Sequence, residues 1–282
     1  PTVSGKWSRR FLKRHPEYLI QRQYTMESDR KTAQQTPEEI KQWLEKFRAL
    51  CKQYKIKATD IWNADKSGFR VGIGKDQFVI TLDASRRPTL GSASCRELVT
   101  VIECVSAAGA AIDPMVVMPG SDHLEDWYAE TGLGDDYAVA VSDTGYINDA
   151  VSLEWVHHFD EETRKVQVGE YRLLLLDGHI SHCTVEFVRY CDDNKIIPLC
   201  LLPHTTHFLQ PLDVMIFQPY KHFHSKAIEE ATRLGNPDFD KIEFLANLTS
   251  IRQQAMKETT IRSSFRATGL EPFDVDLVLD KL

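Results

Sequence analysis

Four consecutive leucines at 173–176, running into Asp177, constrain this fold more than any other feature of the chain. An apolar run of that length, bounded by Asp177-Gly178, reads as a strand buried on both faces, so packed layers must cover each side. The 282 residues, 42% apolar and 27% charged, are enough for such a core. No apolar run approaches the roughly 18–20 residues that span a bilayer, and no secretory pattern opens the chain. Membrane, collagen-like and disordered classes are excluded, and a start at Pro1 reads as part of a longer protein.

The segments around the leucine run suggest how it is covered. Thr36-Pro37-Glu38-Glu39 signals a helix start with a capping box. Ile40, Trp43, Leu44, Phe47, Cys51 and Tyr54 then recur at helical spacing. Strands are expected at 60–65, at 69–73 and 77–81 around a Gly74-Lys75 hairpin, at 98–106, at 111–118 and at 138–141. A helix at 149–159 precedes the leucine strand at 171–176. A second helix at 184–192, a strand at 196–202 and mostly helix from 214 to 268 follow it. A meander followed by alternating strand and helix implies an α/β fold, a mixed sheet with helices on both faces.

Charge divides the chain. Residues 1–57 carry 14 Lys/Arg against 6 Asp/Glu, net +8, and the remainder 20 against 35, net −15. A basic arm on an acidic body fits a nucleic acid or acidic partner at the front only, and equally a solvated helix surface. Within that arm a helical pattern over 5–15 places Trp7 and Phe11 on one face and Lys6, Arg9, Arg10, Lys13 and Arg14 on the others, until Pro16 ends it. Residues 21–35 read as a linker. The six cysteines are scattered without a C-x-x-C pair, which fits free thiols in a reducing compartment rather than a disulfide framework or a structural zinc site.

Three carboxylates stand at strand ends, where ligands gather in such sheets. They are Asp65 in N-A-D-K-S-G-F, Asp177 in L-L-L-D-G-H-I-S-H, and Asp213 in L-P-H-T-T-H-F-L-Q-P-L-D-V. Each alone reads equally as a helix cap or a turn residue. Together they would repel one another, and a pair of divalent cations relieves such repulsion. Hard oxygen ligands suit Mg²⁺ or Mn²⁺, and two ions about 3.5–4 Å apart serve phosphoryl transfer.

These three motifs, with W-V-H-H-F-D at 155–160 and I-R-S-S-F-R-A-T-G-L-E-P-F at 261–273, resemble the catalytic domain of pogo/Fot-type DNA transposases of the mariner superfamily, the DDE superfamily endonuclease domain. The likeness runs from about residue 60 to 275. The 35 residues between Asp177 and Asp213 suit the pogo branch, whose third acid is Asp. The resemblance implies an RNase H-like fold, a mixed five-stranded sheet flanked by helices and preceded by a short basic helical segment. It implies Asp65, Asp177 and Asp213 as catalytic metal ligands for two Mg²⁺ or Mn²⁺ ions. The implied chemistry is phosphodiester hydrolysis at transposon ends, followed by attack of the freed 3′-hydroxyl on target DNA. The front segment resembles the end of the helix-turn-helix domain that these transposases share with centromere protein B. Residues 1–35 would then be the end of that domain plus a linker, with Lys6, Arg9, Arg10, Lys13 and Arg14 on DNA, and 36–282 the catalytic domain. A homodimer on DNA and a nuclear location follow from the same likeness.

Lys66 stands where this family commonly has Glu, and Ser67 where it has Thr. A lysine there either weakens cation binding or points away and touches a DNA phosphate. It is the feature that favours the alternative, a transposase-derived DNA-binding protein that no longer cuts. His179, His182, His204 and His207 lie inside the motifs and are expected to orient carboxylates or touch DNA rather than hold zinc. Trp127, Trp155 and Phe273 are expected in the core. Lys221, His222, His224 and Lys226 read as a DNA guide or as a solvated helix face.

Overall fold

The helix expected after Thr36 spans Pro37–Gln53 (α1) in the computed structural model, which describes residues 13–14, 37–71, 97–129, 131, 137–177, 184–234 and 239–282. Glu38 and Glu39 complement its first turn and Lys52 its last. Its buried stripe of Ile40, Trp43, Leu44 and Phe47 lies on the core, and the Trp43 indole N–H donates to the Cys200 carbonyl at 2.8 Å. Phe47 also stacks on Phe273, and Trp127 and Trp155 are buried, so these aromatic rings serve packing.

Six strands form one sheet among the described residues: Ile61–Val71 (β1), Glu97–Ser106 (β2), Met115–Pro119 (β3), Ala138–Ser142 (β4), Arg172–Leu176 (β5) and Ile196–Cys200 (β6). Their order is β4-β3-β2-β1-β5-β6. β1, β2 and β3 pair antiparallel, whereas β4 lies parallel to β3, and β5 and β6 continue parallel from β1. The mixed α/β architecture matches the expectation. The sheet has a sixth strand because β4 adds to the β3 edge.

Two strand boundaries differ from the sequence reading. Residues 60–65 and 69–73 were expected as separate strands, yet β1 is continuous through Ser67-Gly68. Its ladder with β2 runs from Trp62↔Ser106 to Val71↔Glu97 without a break. Gly68 suits the crossing, since a Cβ there would come within 3.1 Å of the Leu98 side chain. The strand expected over 111–118 begins only at Met115, after an isolated bridge between Ala111 and Val105. Pro114 has no N–H for the ladder. The expected 77–81 strand and its hairpin lie outside the described residues.

Alternation along the strands divides the core in two. Ile61, Phe69, Val101, Val105, Leu173 and Leu175 face α1 and the C-terminal helices. Trp62, Ala64, Ile102, Cys104, Leu174 and Leu176 face Asp149–Arg164 (α3) and Val185–Asp193 (α4), which follow the short helix Asp126–Ala129 (α2). α3 runs to Arg164 rather than 159 because its last turns bury polar groups. The Arg172 guanidinium, 1% exposed, pairs with the Asp160 carboxylate and donates to Thr163 Oγ1 at 2.7 Å. The C-terminal half comprises Thr206–Leu209 (α5), a π turn at Leu212–Ile216, Phe217–Arg233 (α6), Lys241–Ala255 (α7), Glu258–Ala267 (α8) and Val275–Leu279 (α9). Cys51, Cys104, Cys191 and Cys200 are free thiols, and Cys95 and Cys183 lie outside the described residues.

Candidate active site

Asp65 and Asp177 leave neighbouring parallel strands side by side. The β1–β5 register pairs Ala64 with Leu176, so the next residue on each strand is an acid. Parallel strands lie roughly 4.8 Å apart, and by alternation both side chains share the face that carries Asn63. Asp213 is brought to that face from the far half of the chain by the π turn. The Leu212 N–H, just before Asp213, donates to Asn63 Oδ1 at 3.1 Å. Asp65 and Asp177 are half-buried and Asp213 is exposed.

The three charges act on one another. Burial pushes the Asp65 carboxyl well above its ordinary range, Asp213 raises it next, and Asp177 adds to the shift. The Lys66 backbone N–H, 2.7 Å from Oδ1, and then the Lys66 ammonium work the other way. The ammonium is the weakest of these influences, for a geometric reason. Successive β1 side chains alternate, so Lys66 lies with Ala64 on the α3–α4 face. It lines a cavity of about 50 Å³ together with Asp65 and Asp177 themselves and with Ala64, Trp155, Leu176 and Phe187, so the cavity reaches from the acids to that face.

Glu103 is a fourth carboxylate at this place, opposite Asp65 in the β1–β2 ladder and completely buried. Its charge is taken up by Arg252 of α7, whose Nε and Nη2 each donate at 2.9 Å, and by the Tyr220 hydroxyl of α6 at 2.8 Å. Burial, then the Glu103 charge, pushes the Tyr220 phenol well above its ordinary value, so it remains a donor. Glu103 is thereby committed to the protein, whereas Asp65 and Asp177 are half-buried and Asp213 is exposed.

Among the described residues, no three His, Cys, Asp or Glu side chains are gathered tightly enough to hold an ion as they stand. The donor set nevertheless suits a hard divalent cation. It comprises carboxylates only, and Asp65 feels the repulsion of both others. Of the histidines in the motifs, His204 sits at φ 62° and His207 packs its ring edge-on to Phe208. His179 and His182 lie outside the described residues. In the basic group after Asp213, Lys221, His222 and Lys226 are exposed. His224 is a correction to that group, because it is buried among Phe69, Phe239 and Phe244 and offers nothing to solvent or DNA. Lys13 and Arg14 are helical and exposed, and Lys6, Arg9 and Arg10 lie outside the described residues.

Asn63, Glu103, Tyr220 and Arg252 are site residues that the sequence reading passed over. For Asn63 a signal existed, since it precedes Asp65 by two residues and must share its face.

Comparison with known proteins identifies the family and the fold. The family model of the DDE superfamily endonuclease matches residues 95–265, a span that includes Asp177 and Asp213 and begins after Asp65. A protein named MFS-type transporter clz9, from Cochliobolus lunatus, is 38% identical over 241 residues, 85% of this chain and 26% of that protein. The chain thus spans about a quarter of that curated relative's length, and no helix among the described residues is long and apolar enough to cross a membrane. The fold resembles the Mos1 strand transfer complex at TM-score 0.50 and 13% identity, covering 93% of this chain and 70% of that one. It also resembles the mariner Mos1 paired-end complex with Mg at TM-score 0.51 and 12% identity, covering 93% and 71%. The fold thus resembles the RNase H-like fold of Mos1 transposase, and with the family model spanning more than half its length, the chain belongs to the DDE superfamily endonucleases.

Proposed function

We propose that this chain is the catalytic portion of a pogo/Fot-type DNA transposase that cleaves a phosphodiester at transposon ends and joins the freed 3′-hydroxyl to target DNA. The observation that carries the reading is the delivery of Asp65, Asp177 and Asp213 to one end and one face of the sheet by three separate segments. These carboxylates would hold Mg²⁺ or Mn²⁺. The cations would lower the pKa of an attacking water and stabilise charge on the scissile phosphate. The protein's own part is positioning: two strand ends and a docked turn set the carboxylates, while Lys66, which alternates with Asp65 along β1 and is exposed, would meet a neighbouring phosphate. The presence of all three aspartates favours this reading over a non-cutting descendant.

In this reading residues 36–282 are the catalytic domain. Residues 1–35 are the end of a centromere-protein-B-type helix-turn-helix domain with its linker, and Lys6, Arg9, Arg10, Lys13 and Arg14 contact DNA. The partners are transposon-end and target DNA, bound by a homodimer in the nucleus. The similarly folded Mos1 complexes, described as paired-end and strand-transfer assemblies, support DNA ends as the substrate class.

Titration calorimetry with Mn²⁺ and Mg²⁺ on the wild type and on Asp177→Ala tests the core of this proposal. Binding by the wild type that Asp177→Ala abolishes is the expected result. Absence of binding at millimolar cation, with DNA present, overturns the catalytic reading.

A further inference from the structure

Asn63 is completely buried at the centre of the sheet, two residues before Asp65 and on the same face of β1. Its side chain reaches both of the other acid-bearing segments. The amide Nδ2 donates to the Leu175 carbonyl at 3.3 Å, two residues before Asp177. The amide Oδ1 accepts from the Leu212 N–H at 3.1 Å, immediately before Asp213. A side-chain amide is uncharged and offers both a donor and an acceptor, which this place requires.

The two bonds differ in what they add. Asp177 is already set against Asp65 by the parallel ladder, which pairs Ile61 through Ala64 with Leu173 through Leu176. Asp213 has no ladder to hold it. It lies in the π turn Leu212–Ile216, whose leading N–H groups need acceptors outside the turn, as Val214 N–H finds in the Gln210 carbonyl at 3.0 Å. Asn63 supplies the acceptor for one of them, so a β1 side chain docks the turn. We infer that Asn63 is a positioning residue that fixes Asp213 against the Asp65–Asp177 pair. Its importance for cation binding rests on the proposed metal-site reading, whereas the docking itself does not.

Ser67 provides a matched control. It is buried on the same face, two residues beyond Asp65, and its hydroxyl has no hydrogen-bond partner among the described residues. If burial on this face were all that mattered, Ser67→Ala and Asn63→Ala would perturb the site alike.

The test uses amide hydrogen exchange by NMR on the whole metal-free chain, followed by Mn²⁺ calorimetry on the same samples. In the wild type the Leu212 amide should exchange slowly. In Asn63→Ala it should exchange at least about tenfold faster relative to Leu174 of β5, whereas Ser67→Ala leaves it unchanged. Asn63→Gln keeps an uncharged amide with both a donor and an acceptor, so its Leu212 amide should exchange more slowly than in Asn63→Ala; this variant also serves if Asn63→Ala does not fold. Mn²⁺ affinity should fall roughly 10- to 100-fold in Asn63→Ala, the usual cost of losing a group that orients metal ligands, and stay unchanged in Ser67→Ala. Fast exchange at Leu212 in the wild type overturns the inference. So does unchanged exchange in Asn63→Ala, or an equal loss of Mn²⁺ affinity in Ser67→Ala. If the exchange results are as expected and the wild type binds no Mn²⁺, the docking by Asn63 stands and the metal-site reading falls.

Discussion

Asp65 on β1 and Glu103 on β2 face each other at one rung of the antiparallel ladder, and among the described residues a guanidinium neutralises Glu103 alone. Like charges directly opposite destabilise a sheet, with Cα atoms roughly 4.5–5.5 Å apart at such a rung. Arg252 removes one of the two charges by a two-pronged bond, and its Nη2 also donates to the Ile112 carbonyl at 2.8 Å. Arg252→Ala would leave a buried carboxylate unpaired beside Asp65. The expected cost is about 3–5 kcal/mol of stability, read from urea unfolding of the metal-free chain. The double variant Glu103→Leu/Arg252→Met should recover most of that loss, because it removes both charges. A double variant as unstable as Arg252→Ala would show that the cost comes from lost packing of α7.

At the start of α7 a smaller electrostatic effect gives a pH dependence. Asp240 caps the helix, accepting from the Ile242 N–H at 2.7 Å and the Glu243 N–H at 3.3 Å, while the Glu243 carboxylate accepts from the Asp240 N–H. Burial works against the Asp240 charge, but the bonds from Glu243 and Ile242 outweigh it and hold the carboxyl below its ordinary value. A carboxyl depressed in the folded state contributes stability above its unfolded pKa and loses it as the pH falls through the folded one. Asp240→Ala should therefore lower stability by about 1 kcal/mol near neutral pH. The gap should close on acidification below about pH 4, the unfolded value. Asp240→Asn, which can still cap, should show a smaller gap that barely responds to pH. Chemical denaturation at several pH values distinguishes these outcomes.

What the sequence revealed, and what it concealed, follows from the range of the interactions involved. The leucine strand and its terminal acid were legible because four apolar residues in a row are a local signal. The continuity of β1 was hidden: Lys66, Ser67 and Gly68 interrupt the apolar pattern, yet the ladder is made by backbone groups that ignore side-chain polarity. The last turn of α3 was hidden for a related reason. Asp160 and Thr163 read as polar surface, but they are buried by Arg172, whose arrival depends on the leucine strand being in place. In the site, motif likeness picked out three aspartates, and the register then put two of them side by side. Spacing put Asn63 on the face of Asp65, but its bonds could not be read locally, because its partners are 112 and 149 residues away. His224 was grouped with exposed cations because its neighbours in sequence are polar, whereas its neighbours in space are aromatic.

A cation bound only by the folded arrangement must stabilise it. The three acids come from β1, the end of β5 and the π turn, so an unfolded chain offers no comparable set. Mn²⁺ at about 100 times its dissociation constant should add about 2.7 kcal/mol to unfolding stability, seen as a rise in melting temperature that a chelator reverses. Asp213→Asn should abolish most of the rise while leaving the metal-free melting temperature nearly unchanged, because Asp213 is exposed. An equal rise in the variant would mean that the cation binds elsewhere.

The placement of Lys66 yields a last prediction, which addresses the departure from the family pattern directly. If the lysine acted as an internal cation competing for the site, Lys66→Glu would strengthen Mn²⁺ binding many-fold. Although Lys66 shares a cavity with Asp65 and Asp177, it is exposed, alternates with Asp65 along β1 and is the weakest influence on Asp65, which argues against this. Exposed charge pairs contribute only about 0.2–1 kcal/mol, so Lys66→Glu should change Mn²⁺ affinity by no more than about threefold to fivefold. DNA affinity should respond differently. Replacing a phosphate-facing lysine with an acid weakens binding to any sequence alike and reduces the steepness of its salt dependence. Calorimetry with Mn²⁺ and fluorescence anisotropy with an arbitrary duplex at several salt concentrations read the two effects separately. A large gain in cation affinity without loss of DNA binding would show that Lys66 competes with the cation, and would make the lysine a brake on the chemistry rather than a contact to the substrate.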